Sequence, residues 1–176
     1  MHEVGDTTRH VVLVGLMGVG KTTTGVALAA HLGRPFRDSD DEIQAATGLT
    51  VRELGDRDGV DAMHAIEARE LLDALGAPGP TVIGAAASIV DDETCREALA
   101  SAATPVVWLR ARPDVVGPRF GANGEHRPIV GDAPEALLAR QMVERGPALE
   151  AIATIVIDVD ERTPDEVVAR VVEALG

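Results

Sequence analysis

Lysine is almost missing from this chain: of its sixteen lysines and arginines, fifteen are arginine, and the single lysine is Lys21. Aromatic residues are nearly as scarce, with Phe36, Phe120 and Trp108 the whole complement, so the core has to be built from Ala, Val and Leu rather than from rings. One cysteine, Cys95, lies in a helix-like stretch with no His or Cys at ligand or redox spacing, which excludes a disulfide framework and argues against zinc. No apolar run approaches the roughly 18 residues that cross a bilayer. The opening MHEVGDTTRH has neither the basic nor the apolar part of a secretory leader. The expected compartment is the cytoplasm, with no membrane partner. Positive charge is also short: a net charge of −13 and a pI near 4.7 repel phosphate backbones, so nucleic acid is not an expected partner and any anion site must be local.

What is present reads as one α/β domain. Its 176 residues suffice for a single core without a metal or disulfide staple, with 1–9 as a flexible tail and 10–176 as the domain. Residues 10–16 (HVVLVGL) form a continuous apolar run of strand length, and 26–32 followed by Gly33 has the pattern of a helix closed by glycine. A short strand is expected about Phe36, then a helix interrupted by the TG at 47–48, a further helix opened by a Thr50/Glu53 capping box, and helical spacing across 59–75. Strands are expected at 81–87, 105–109 and 153–159, and helices from Asp91 and Asp92, over 134–152, and after the TPDE cap at 163–166. The polar, glycine-bearing segment 117–132 is the expected lid. Strands apolar on both faces that alternate with helices imply a parallel sheet covered on both sides, with ligands beyond the carboxyl ends of the strands.

The lone lysine sits in GLMGVGKTT. Gly15, four residues, Gly20, Lys21 and Thr22 match the P-loop pattern, placed between an expected strand and an expected helix as the motif requires. Arginine has not replaced Lys21, which fits a need for a compact ammonium beneath a phosphate. Glycines let successive backbone N–H groups turn inward, so Gly15, Gly18, Val19, Gly20, Lys21, Thr22 and Thr23 are the expected nucleotide-binding residues. Lys21 would meet the β and γ phosphates of ATP, and Thr22 would ligate Mg²⁺. No NKxD-like guanine signature occurs, and the chain is too short for the added domains of most motors, which favours a small kinase.

Several further stretches resemble the shikimate kinase family over roughly residues 11–175. PFRDSDDEIQAATGLTVREL is similar to that family's D-x-D segment, with Asp38 and Asp40 on its two aspartates. HRPIV places Arg127 on the lid arginine, ERGPALEAIA places Arg145 on a substrate-binding arginine, and ERTP places Arg162 and Pro164 on the adenine-side arginine and proline. The resemblance implies a three-layer αβα fold with a five-stranded parallel sheet and a mobile lid, ATP with Mg²⁺, and a small hydroxylated acceptor bound to a monomer. It implies Lys21, Asp40 and Arg127 as catalytic residues, Thr22 and Asp38 at the metal, and Asp40, His64, Ala86, Ala87 and Arg145 at the acceptor. In physical terms Asp40 is placed to take the proton of an attacking hydroxyl, Asp38 to hold Mg²⁺ through water, and Arg127 to neutralise charge during transfer. Helix N-capping is the alternative role for both aspartates, a solvated loop position that for Arg127, and complementing the helix dipole that for Arg145.

Two stretches depart from the family pattern. Where the family has F-R-x-x-E this chain has Met63, His64, Ala65, Ile66 and Glu67, so a carboxylate-pairing arginine is replaced by His64. The family's triple glycine aligns with Ala86, Ala87 and Ser88, where a positive φ would cost alanine on the order of 1 kcal/mol. Either Gly84 takes over the bend or the strand continues through residue 87. Three readings follow: phosphorylation of shikimate to shikimate 3-phosphate with a rearranged acceptor pocket, a kinase for another small polyol or cyclitol, or a catalytically weak nucleotide-binding regulator.

Overall fold

The computed structural model describes residues 9–101, 103–123 and 133–176. Strand β1 (Val11–Val14) is four apolar residues, all buried, and three of them β-branched. Helix α1 (Lys21–Leu32) begins directly after Gly20, five residues before the expected start, because the threonines after Lys21 already form its first turn; it ends at Gly33, whose φ of 64° closes the helix. Strand β2 (Phe36–Asp38) leads into α2 (Ser39–Thr47), which stops at Gly48 as the TG pair implies. Helix α3 (Val51–Asp58) opens with the Thr50/Glu53 capping box, and α4 (Val60–Leu75) follows.

Strand β3 (Val82–Gly84) is shorter than expected. The run 85–87 does not continue it, and a 3-10 helix (Ala87–Asp91) turns the chain into α5 (Glu93–Ser101). Strand β4 (Val106–Arg110), α6 (Pro113–Asn123), α7 (Pro134–Ile152), β5 (Ile155–Asp158) and α8 (Pro164–Leu175) complete the order, with the Thr163/Glu166 capping box in place at α8. Residues 117–123 of the expected lid are therefore helical, and the remainder of it, with Arg127, lies outside the described residues.

The five strands are all parallel in the order β2-β3-β1-β4-β5, the three-layer αβα arrangement. In register, Asp38 of β2 stands beside Gly84 of β3, and Gly84 beside Leu13 of β1. The carboxyl ends of the three strands thus deliver Gly15, Asp38 and the start of the 85–91 segment to one edge, where open α/β sheets hold ligands. The main core surrounds β1, β3 and β4, and a smaller cluster of Ile43, Val51, Leu54 and Met63 joins α2, α3 and α4.

Candidate active site

The loop after β1 is shaped by its glycines. Gly15 has φ 149°, and a Cβ there would lie 2.6 Å from the carbonyl oxygen of Leu109 on the adjoining strand, so only glycine lets the loop leave β1 at this angle. Gly18 and Gly20 take φ of 80° and 92°, turning the backbone into the N-terminus of α1, a ready anion site. Lys21 Nζ donates to the carbonyls of Gly15 (2.8 Å) and Leu16 (3.0 Å), lying across the loop it belongs to. Thr22 Oγ1 donates to Asp38 Oδ2 at 2.6 Å, which ties the start of α1 to the end of β2. The other oxygen of Asp38 is also engaged, since Oδ1 accepts from the Asp40 N–H at 3.0 Å and caps α2. The capping role and the site role therefore fall on the two oxygens of one carboxylate. These hard oxygen donors fit Mg²⁺, which is usually held by one or two protein oxygens together with water and phosphate.

Two clefts flank this loop. One, of about 230 Å³, is lined by Thr22, Asp38, Asp40, Asp41, Gln44, Thr50 and Val51. Burial and then the charges of Asp38, Asp40 and Glu42 push the Asp41 carboxyl above its usual range. The other, also about 230 Å³, has Met17 from the loop as its floor; Met63, His64 and Glu67 of α4 form one wall, Ala87 and Ser88 a second, and Arg140, Gln141, Glu144 and Arg145 of α7 the third. Glu67 is buried and accepts a hydrogen bond from the Ser88 hydroxyl. Arg145 donates through Nε (2.9 Å) and Nη2 (2.6 Å) to Asp91 Oδ2 at the end of the 3-10 helix. Because α7 runs on to Ile152, Arg145 is not in the last turn, and the Asp91 pair rather than the helix dipole sets its position.

A model of the shikimate kinase family matches residues 17–176. This chain belongs to the shikimate kinase family. A curated shikimate kinase of Paramagnetospirillum magneticum is 37% identical over 173 residues, covering 97% of this chain and 86% of that protein. That of Chromobacterium violaceum is 38% identical, covering 93% of this chain and 88% of that protein. Among solved structures, the shikimate kinase of Acinetobacter baumannii in complex with shikimate superposes with a TM-score of 0.88 at 25% identity, covering 97% of this chain and 94% of that one.

Set beside the residues that the family pattern implies, the structure groups some and separates others. Lys21, Thr22 and Asp38 meet at the phosphate loop, and Asp40 joins Thr22 and Asp38 in the first cleft. His64, Ala87 and Arg145 share the second cleft, while Ala86 is buried behind it and is not one of its lining residues. The cost expected for alanine in this loop does not arise: Ala86 has φ −62°, and no residue other than glycine has a positive φ among the described residues. Gly84 does not take the bend either. It stays in β3, where it leaves room for the Phe36 ring. Arg162 donates to the Asp158 carbonyl at 2.8 Å and lines a separate cleft with Val156, Arg170 and Glu173, and Pro164 is the first residue of α8. Arg140, Gln141 and Glu144 were not anticipated. With Leu137 and Arg145 they share one face of α7 by their 3–4 residue spacing, a periodicity that an exposed helix face would show equally.

Proposed function

We propose that this protein transfers the γ-phosphoryl group of ATP to a hydroxyl of shikimate, giving shikimate 3-phosphate, as a cytoplasmic monomer. The observation that carries this reading is the adjacency, at the carboxyl edge of the sheet, of a phosphate loop and a cleft lined by guanidinium groups.

The chemistry divides among a few residues. The inward backbone N–H groups of residues 15–23 and the α1 N-terminus hold the phosphates, and Lys21 exchanges two carbonyl partners for phosphate oxygens. Thr22 and Asp38 would hold Mg²⁺, which when bound neutralises charge on the β and γ phosphate oxygens. Asp40, which lines the first cleft with Thr22 and Asp38, is the proposed acceptor of the proton from the attacking hydroxyl. Arg145, fixed by Asp91, is the proposed anchor for the acceptor in the second cleft. Arg127 is the proposed group for neutralising charge on the transferring phosphoryl, and Arg162 and Pro164 the proposed adenine contacts.

A coupled ADP-release assay with Mg·ATP and shikimate tests the reading, with quinate and cyclitols alongside. Turnover with shikimate that vanishes in Lys21→Ala and in Asp40→Asn is expected. Turnover with a cyclitol but not with shikimate would replace the acceptor, and full activity in Lys21→Ala would overturn the kinase assignment.

A further inference from the structure

Strand β2 is three residues long and stands at the edge of the sheet, paired with β3 alone among the described residues. Its side chains alternate. Phe36 lies against Gly25 of α1 and Asp38 reaches Thr22 of the same helix, while Arg37 turns to the opposite face. There its Nη2 donates to Glu42 Oε2 of α2 at 3.2 Å and to Glu70 Oε1 of α4 at 3.3 Å. As a source of stability this contact is poor. The Glu70 side chain is only 9% exposed, and burial pushes its carboxyl up to about 7 although Arg37 pulls it down, with Glu42, Asp38 and Asp73 adding charge of its own sign. Arg37 Nε and Glu70 Oε2 are both buried without a hydrogen-bond partner among the described residues, and so is Ser39 Oγ at the start of α2. A buried ion pair with unmet groups is often less stable than apolar side chains of similar volume, and its best-attested use is to fix register. The elements it joins here are those of the two clefts: β2 and α2 carry Asp38 and Asp40 of the first, and α4 carries His64 and Glu67 of the second, with Glu70 one turn beyond Glu67.

We propose that Arg37 is a positioning residue for phosphotransfer: by tying the β2–α2 corner to α4 through Glu42 and Glu70, it sets the spacing between the carboxylates of the first cleft and an acceptor held in the second. The inference rests on the phosphotransfer reading above and adds to it a residue that lines neither of the two clefts. A short edge strand has few other restraints on the α4 side, and a displacement of about 1 Å at reacting groups costs on the order of 100-fold in rate.

Kinetics with Mg·ATP and shikimate at pH 8, where the Glu70 carboxyl is charged, test this in the unsubstituted protein, Arg37→Gln, Arg37→Lys, Glu70→Gln and the double variant Arg37→Gln, Glu70→Gln. Melting curves, calorimetric Kd values for Mg·ADP and for shikimate, and hydrogen exchange of the amides of residues 36–41 accompany them. Glu70→Gln is expected to melt no lower than the parent, because a buried charge is relieved, and yet to lose about 10-fold or more in kcat with each Kd within about 3-fold. Arg37→Gln loses at least as much, and the double variant loses little more than Arg37→Gln because both changes break one tie. Arg37→Lys, which keeps the charge, recovers part of the loss, and the amides of 36–41 exchange faster in each slowed variant. An unchanged kcat in Glu70→Gln and the double variant, or a loss that appears equally in the Kd values, overturns the positioning role. An unsubstituted protein that turns over no shikimate overturns the phosphotransfer reading instead, and unaltered exchange at 36–41 in the variants is then the result that overturns the tie.

Discussion

Gly25 is a position where a single added methyl group meets a packed ring. It lies buried in α1, and a Cβ built on it would fall 2.1 Å from Cε2 and 2.5 Å from Cζ of Phe36. On the sheet side the ring lies over Gly84 of β3, where an added Cβ would be 3.1 Å from the same Cζ, so the backbone of that strand limits how far it can shift. Gly25→Ala must therefore strain the ring in place or drive it outward from a half-buried site, and an overlap this deep falls in the upper part of the overpacking range, about 2–3 kcal/mol. Replacing a mid-helix glycine by alanine returns about 1 kcal/mol of helix propensity, which leaves a net destabilisation of about 1–2 kcal/mol. For a chain of this size that corresponds to a fall in Tm of about 2–8 °C. Phe36 precedes Asp38 by two residues on β2, so the displaced ring should also loosen the Thr22–Asp38 contact and raise KM for Mg·ATP. Thermal unfolding of Gly25→Ala, Phe36→Leu and the double variant, with ATP kinetics on each, checks the reasoning. The double variant is expected to be more stable than the sum of the single changes requires, since the smaller side chain vacates the space. A Gly25→Ala protein as stable as the parent would refute the steric argument and show that helix propensity dominates.

Three more perturbations follow from the same geometry. Gly15→Ala places a methyl 2.6 Å from a backbone oxygen that cannot swing aside, and loss of ATP binding with a large drop in Tm is expected from calorimetry and melting curves. Ser88→Ala removes a hydroxyl donor from the buried Glu67 carboxylate, and chemical denaturation should show a loss of about 1–3 kcal/mol. Burial pushes the Glu70 carboxyl up to about 7 despite the Arg37 guanidinium beside it. Its protonated form is favoured in the folded state, so its contribution is complete below about pH 4.5 and is lost as pH rises through 7; urea titrations from pH 5 to 8 should show Glu70→Gln gaining about 1–3 kcal/mol on the parent protein, and no pH dependence in the difference would contradict the burial argument.

The parts of the fold visible in the sequence are those fixed by contacts close along the chain. The P-loop glycines, the Thr50/Glu53 and Thr163/Glu166 capping boxes and the TG break after α2 are local hydrogen-bond devices, and each stands where its residues place it. The end of β3 was not visible, because Ala85, Ala86 and Ala87 are apolar enough to continue a strand and only the packing of the 3-10 helix against α4 and α7 stops it. Asp38 and Asp40 were legible as a pair at the loop, yet nothing in their spacing showed that one carboxylate would both cap α2 and meet Thr22. The cleft proposed for the acceptor was partly legible through His64 and Arg145. Arg140 and Gln141 escaped notice because an exposed helix face and a cleft wall have the same periodicity, and only the neighbouring α4 and 3-10 helix tell them apart.

Lys21, held on the carbonyls of Gly15 and Leu16, is the only side-chain amine in these 176 residues. A reagent or enzyme selective for lysine side chains has one target in this sequence, and it is the residue proposed to bind phosphate. On the proposed reading, acetylation of that side chain removes the charge and abolishes turnover without touching any other side-chain amine. Conversely, nucleotide shields that amine, so the rate of its acylation measures occupancy of the phosphate loop without any engineered probe.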